Sequence, residues 1–293
     1  FKNAGQFLEN RGTKVDTHVH LIAFGYLALL LAQVQPWVKF AEASRRRLAW
    51  LLVFGSVLLP VGVFLIHYVG MTYSPLQAIG WASIFADLGG LLVLVATIGY
   101  LAGIGQYLRT QQAPAPDKLL RDRSKPGQWL LVGGLCLILT GFVHGAYYAA
   151  SDLYRHEEAD YKILSQLSSA AAVHDQAQIN QSLADYGQLQ GDKAVKIAAH
   201  AHIIEFGLLA MLLAFLQPYV KMSEIWKVRW AAVLLCGSLL LPVCVLLEMR
   251  YGLFAGGIAD LGGLFVIVAL LAMWIGILRY TGSLDAMPSG VQR

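Results

Sequence analysis

The sequence predicts an all-α membrane protein: a polytopic helical bundle with seven transmembrane helices, a parallel tandem repeat and a helical outer cap. Three observations predict it, namely an apolar composition, seven long apolar runs and a sequence that matches itself. Of the 293 residues, 57% are hydrophobic and 14% are charged, whereas soluble proteins carry about 25% charged residues. The net charge of +4 is too small to indicate a nucleic-acid-binding protein.

Each apolar run is long enough to cross a lipid bilayer, which takes about 20 residues of helix. Pro60 and Pro242 fall inside the second and sixth runs, where proline is expected to kink a helix rather than end it. The seven runs cover residues 17–37, 48–69, 78–106, 127–150, 197–219, 230–250 and 254–280.

Lysine and arginine concentrate in alternate loops, at 39–47, 109–125 and 221–229. Basic loops mark the cytoplasmic side, so we expect a bacterial inner (plasma) membrane protein with its N-terminus outside and its C-terminus in the cytoplasm. The polar segment 151–196 then lies outside, and we expect it to form two amphipathic helices that make the cap. His156 and His174 lie in this segment and are expected to be solvated surface residues.

The two halves of the chain are related by a shift of 182 residues. HVHLIAFGYLALLLAQVQPWVKF (18–40) aligns with HAHIIEFGLLAMLLAFLQPYVKM (200–222), with 14 identities in 23 positions. The match continues through SVLLPV (56–61) and SLLLPV (238–243). The outer loop that follows is nine residues shorter in the second copy, and beyond it ADLGGL occurs in both copies, at 86–91 and 259–264. Both copies run in the same direction across the membrane, which makes the repeat parallel. We therefore divide the chain into a first three-helix repeat (1–125), a fourth helix plus cap (126–196) and a second three-helix repeat (197–293).

Histidine is the residue type that carries chemistry in these spans. Ionisable side chains inside a membrane are costly and mark functional sites, and the predicted topology brings six histidines to the outer leaflet. In each HxH pair the two side chains leave the helix about 200° apart, so one helix cannot chelate one metal with both rings. It can present one ligand to each of two sites. The six are His18, His20, His67, His144, His200 and His202.

This pattern favours non-covalent haem b, in two or more copies, because haem iron takes axial histidine. Covalently attached c-type haem is not expected, since no CxxCH occurs, and copper is less favoured than haem. Met249 aligns with His67 and is a further candidate axial ligand. The alternative is that the histidines are interfacial, hydrogen-bonded and structural.

The stretches TKVDTHVHLIAFGYLALLL and KIAAHAHIIEFGLLAMLL resemble the haem-ligating helix of nitric oxide reductases and their haem-copper oxidase relatives. NnrS-type membrane haem proteins carry a similar stretch. The resemblance is confined to this one helix of each repeat. It implies that His18 and His20, and likewise His200 and His202, ligate two different haems, one on each side of the helix.

Three acidic residues in the spans are candidates for proton transfer: Asp87 and Asp260, in equivalent ADLGG contexts, and Glu205, which replaces Ala23 of the first copy. Glu205 is three residues after His202 and on the same side of the helix. Asp87 and Asp260 have a structural alternative, because the neighbouring glycines allow close helix approach.

The leading functional hypothesis is a haem-b-binding electron-transfer subunit of a respiratory or related redox complex, without a complete haem-copper active site of its own. Its expected partners are the lipid bilayer, other subunits of the complex, and either a periplasmic electron carrier such as a cytochrome c or quinone. A proton- or ion-coupled transporter that uses Asp87 and Asp260 is the rival hypothesis. A sensor or chaperone for haem or copper is the third.

Overall fold

The computed structural model describes the backbone of residues 2–69, 81–109 and 124–281 and the side chains of 17–65, 82–109 and 124–281. These residues are almost wholly helical, without a strand among them. Seven of the helices are long and apolar enough to cross a membrane, which confirms the predicted all-α bundle of seven spans. The helices are α1 (Lys2–Val34), α2 (Glu42–Val69), α3 (Trp81–Arg109), α4 (Lys125–Tyr147), α5 (Leu153–Ala172), α6 (Gln176–Leu216), α7 (Glu224–Tyr251) and α8 (Leu253–Leu278).

The first helix of each repeat ends in the same way. A Gln-Pro-aromatic segment forms a short 3₁₀ turn after α1 (Gln35–Trp37) and after α6 (Gln217–Tyr219), because proline supplies no N–H to continue an α-helix. The chain then bonds to the third helix of its own repeat. The Lys39 amide donates to the Gly103 carbonyl at 3.1 Å, and the Lys221 amide donates to the Gly276 carbonyl at 2.9 Å.

The second and third helices of each repeat pack closely at glycine. A methyl group built on Gly55 would lie 2.7 Å from the carbonyl oxygen of Gly89, and one built on Gly237 would lie 2.6 Å from that of Gly262. Helices α2 and α7 run through Pro60 and Pro242 without ending, as predicted. Gly252 joins α7 to α8 with φ +57° and ψ −144°, a conformation essentially restricted to glycine.

The polar segment 151–196 is helical, as expected for a cap. Helix α4 continues through a π-helical turn, Tyr148–Asp152, into α5. The chain turns at His174, whose φ of 56° is left-handed, and Asp175 accepts a hydrogen bond from the Gln178 amide at the start of α6. Helix α6 has 41 residues and is about 60 Å long, about twice the thickness of the hydrocarbon core. Its polar first half therefore extends beyond the membrane.

The chain forms two compact units whose boundaries fall within helices. One comprises Phe1–Ala28, Arg47–Ala96 and Phe142–Ala198, and so contains the cap. The other comprises Leu29–Arg46, Thr97–Gly141 and Ala199–Arg293, and so contains the second HxH pair.

Candidate cofactor site

His200 is held against α4 near the start of the apolar part of α6, the end that adjoins the cap. Its Nδ1 lies 2.9 Å from the carbonyl oxygen of Gly141. A carbonyl only accepts hydrogen bonds, so Nδ1 carries the proton and Nε2 carries the ring's lone pair. Gly141 permits this close approach: a Cβ at that position would lie 2.5 Å from the Ile204 side chain.

His202 points away from α4. Its ring stacks on Phe206 with centroids 5.7 Å apart, and its Nδ1 lies 3.9 Å from a carboxylate oxygen of Glu205. The two rings of this HxH pair thus lie in different surroundings, in keeping with the divergence expected from helix geometry.

His202 opens onto a groove of about 530 Å³. Asp260 is the acidic residue that lines it, and Asp260 is exposed rather than packed against α7. The rest of the lining is apolar or glycine and comes from α7 and α8: Leu241, Val245, Ala259, Gly263, Leu264 and Ile267. One imidazole and one carboxylate in an apolar groove match the usual character of a ligand site, which is mostly apolar with a few placed polar groups.

In the first repeat, His18 is exposed and His20 is half-buried. The His20 ring lies 5.9 Å from Phe24, and Phe24 packs edge-on to Phe142 of α4. Asp87 is exposed on α3, near enough to the cap for its charge to act on Tyr154 of α5. Burial is the largest cause that raises the pKa of Tyr154, and the negative charges of Asp87 and Glu157 raise this pKa further.

The remaining sequence candidates occupy different places. His144 is half-buried near the end of α4, and the Met249 side chain is 49% exposed on α7. His67 belongs to α2, but its side chain lies outside the described residues. Among the residues that are described, no group of three or more His, Cys, Asp or Glu side chains is arranged to hold a metal ion. A haem site needs no such cluster, because the protein supplies only the axial ligands of the iron.

The cap contains a polar network that the sequence did not indicate. His156, expected to be a solvated surface residue, is only 6% exposed. Its Nε2 donates to Asp192 at 2.7 Å, and the Tyr148 hydroxyl lies 3.4 Å from its Nδ1. Lys196 bridges Asp192 at 2.8 Å and Asp152 at 3.0 Å. The spacing of four residues between Asp192 and Lys196, which favours an ion pair on a helix, is the one feature of the sequence that indicates part of this network. His174 is exposed, as expected.

These contacts favour the charged forms of the network. Burial acts to raise the pKa of Asp192, but hydrogen bonds from Lys196 and His156 outweigh it and hold the pKa below its ordinary value. Burial acts to lower the pKa of Lys196, but hydrogen bonds to Asp192 and Asp152 outweigh it and raise the pKa. The network therefore joins α5 and the π-turn to α6 by charge-assisted hydrogen bonds.

The chain matches no protein-family model, and it shows no significant similarity to a curated protein or to a solved structure.

Proposed function

We propose that the chain is a haem-b-binding integral membrane subunit that transfers electrons in a respiratory or related redox complex. The observation that carries the proposal is the orientation of His200 and His202. Metal-ligating histidines almost always donate the second ring N–H to a carboxylate or a backbone carbonyl. The Nδ1 atom of His200 is hydrogen-bonded to the Gly141 carbonyl at 2.9 Å, and the Nδ1 atom of His202 lies 3.9 Å from the Glu205 carboxylate, close enough for a charge interaction but not for a hydrogen bond.

The residues present fit a haem. Histidine is a common axial ligand, and methionine is another; the candidates are His18, His20, His67, His144, His200 and His202, with Met249 in addition. The bound haem would supply one-electron redox chemistry. The protein's own contribution is to fix the ring tautomer of each ligand, hold the imidazoles in place and surround the site with apolar side chains that keep out water.

The same proposal places the chain in a bacterial inner membrane, with the N-terminus outside. Support comes from the alternation of basic loops. In that orientation the HxH pairs lie toward the periplasm, where a carrier such as a cytochrome c, or quinone from the bilayer, would exchange electrons with two or more haems. Other subunits of the complex would share the bilayer.

A proton- or ion-coupled transporter is the competing function, and Asp260 is the observation that favours it. A carboxylate in a membrane groove, repeated as Asp87 in the first copy, is the kind of residue that binds coupling ions. This function predicts that Asp87→Asn and Asp260→Asn abolish uptake in a protein without visible absorbance.

The test is the spectrum of the full chain purified from haem-replete cells. We expect b-type absorbance in the reduced state, and a pyridine haemochrome of haem b that acid acetone extracts. His200→Ala should change or remove part of that absorbance because an axial ligand is lost. His174→Ala is the matched control, since His174 lies exposed at the α5–α6 turn, and it should leave the spectrum unchanged. A colourless, iron-free protein would contradict the proposal.

A further inference from the structure

The residues of the groove beside His202 recur in the first repeat. When the two repeats are aligned, with the outer loop nine residues shorter in the second, seven of the eight residues that line the groove have an identical residue in the first repeat. The eighth, Ile267, is replaced by Leu94. The identical positions include both polar ones, so His20 corresponds to His202 and Asp87 to Asp260. Outside the groove the second and third helices of the two repeats are also related, through SVLLPV and SLLLPV and through ADLGGL, but a smaller share of their positions is identical.

The framework that shapes the groove also recurs. The close approach of Gly55 to Gly89 has its counterpart in Gly237 and Gly262. The Lys39–Gly103 hydrogen bond has its counterpart in Lys221–Gly276. Within their own helices, His20 lies beside Phe24 and His202 beside Phe206, with ring centroids 5.9 Å and 5.7 Å apart; the first pair of rings is tilted and the second is stacked. The glycine contacts and the Lys–Gly hydrogen bonds are therefore the packing contacts that recur in both repeats.

We propose that each repeat holds one haem in an equivalent groove, ligated by His20 in the first repeat and by His202 in the second, and that Glu205 sets the two haems at different reduction potentials. This inference rests on the proposed function. It assigns one groove and one ligating histidine to each repeat, and a role for a residue that does not touch the iron.

The two repeats differ at the end of the second helix, where His67 aligns with Met249, and beside the histidines, where Glu205 replaces Ala23. Glu205 is the charged difference between the aligned segments 18–40 and 200–222. Its carboxylate lies 3.9 Å from Nδ1 of His202. The equivalent residue beside His20 is Ala23, whose side chain has neither a charge nor an acceptor atom. A carboxylate at the second ring nitrogen makes an imidazole more basic and stabilises the ferric state. The groove carboxylates Asp87 and Asp260 are common to both sites and cannot distinguish them. The haem beside His202 therefore has the lower potential, and Glu205 is its positioning and tuning residue.

The experiment is a redox titration of the full chain, followed by haem absorbance. The wild type should show two one-electron components with different midpoint potentials. Glu205→Ala, and the isosteric Glu205→Gln, should raise the lower component toward the higher one. A tenfold change in the relative affinity of the ligand for ferric and ferrous iron corresponds to about 59 mV. Ala23→Glu should lower the higher component, because it gives His20 the acceptor that His202 has.

Two sets of controls complete the test. His20→Ala should remove the higher component and His202→Ala the lower, each with loss of one haem per chain. Glu158→Ala removes an exposed carboxylate of the cap and should move neither potential. Two haems of equal potential, or unchanged potentials in both Glu205 variants, would overturn this inference while leaving the proposed function intact. One haem per chain would overturn this inference and the expectation of two or more haems, but not haem binding itself. A protein without haem would overturn both.

Discussion

At the scale of single residues, the two histidines of an HxH pair leave their helix in different directions. Successive side chains on a helix are 100° apart, whatever the helix packs against. The His200 ring is hydrogen-bonded to a backbone carbonyl at 2.9 Å, whereas the His202 ring has a carboxylate 3.9 Å away. Partners of this kind decide which ring nitrogen can bind a metal.

Asp192 gives a prediction at this scale. The pKa of its carboxyl is held below the ordinary value of 3.8 by hydrogen bonds from Lys196 and His156. A carboxyl whose pKa is lowered by folding stabilises the folded state at any pH above its ordinary pKa. This stabilisation is lost as the pH falls through the pKa of the folded state. Asp192→Asn should therefore lower the melting temperature most near neutral pH, and the difference from wild type should shrink below pH 3.8.

Thermal melts of the purified protein across a pH series would measure this difference. Asp185→Asn is the matched control, because Asp185 lies two turns earlier in α6 and pairs with the Gln181 amide rather than with a charged group. A constant difference between wild type and Asp192→Asn down to low pH would contradict the linkage.

At the scale of elements, glycine sets how closely the helices of a pair approach. Gly237 of α7 meets the backbone of α8 at Gly262, where a methyl group would lie 2.6 Å from the carbonyl oxygen. The backbone cannot move aside as a flexible side chain can. The same contact in the first repeat, between Gly55 and Gly89, explains why both copies keep glycine there.

Gly237→Ala should consequently destabilise the α7–α8 hairpin by about 1–3 kcal/mol, the usual cost of overpacking. Gly257→Ala in α8 is the control, since a methyl group there meets no atom within 4 Å, and better helix propensity should leave its stability equal or higher. Thermal unfolding in detergent, followed by circular dichroism, would measure both variants. Equal melting temperatures for the two would contradict the packing argument.

At the scale of the whole molecule, the repeat and the charge of the loops predict the orientation in the membrane. Basic residues precede the second helix of each repeat, at 39–47 and 221–229, so both copies should enter the cytoplasm at the same point of their sequence. We expect the cap to lie on the opposite side of the membrane.

Cysteine labelling tests this orientation in a background where Cys136, Cys236 and Cys244 are replaced by alanine. Val173→Cys, at a cap position that is 75% exposed, should react with a membrane-impermeant maleimide added to intact cells. Ala43→Cys, exposed at the start of α2, should react only after the membrane is permeabilised. The reverse pattern would invert the topology and place the HxH pairs on the cytoplasmic side.

The sequence by itself determined the seven spans, the helical cap, the tandem repeat and the divergence of each HxH pair. All four depend on apolar run length, residue spacing or internal similarity, which are local properties of the chain. Only the tertiary structure decided that His156 is buried against Asp192, that Gly141 accepts from His200, and that α7 and α8 form a groove beside His202. These contacts join residues far apart in sequence, and their geometry depends on how the helices pack, which no local pattern records.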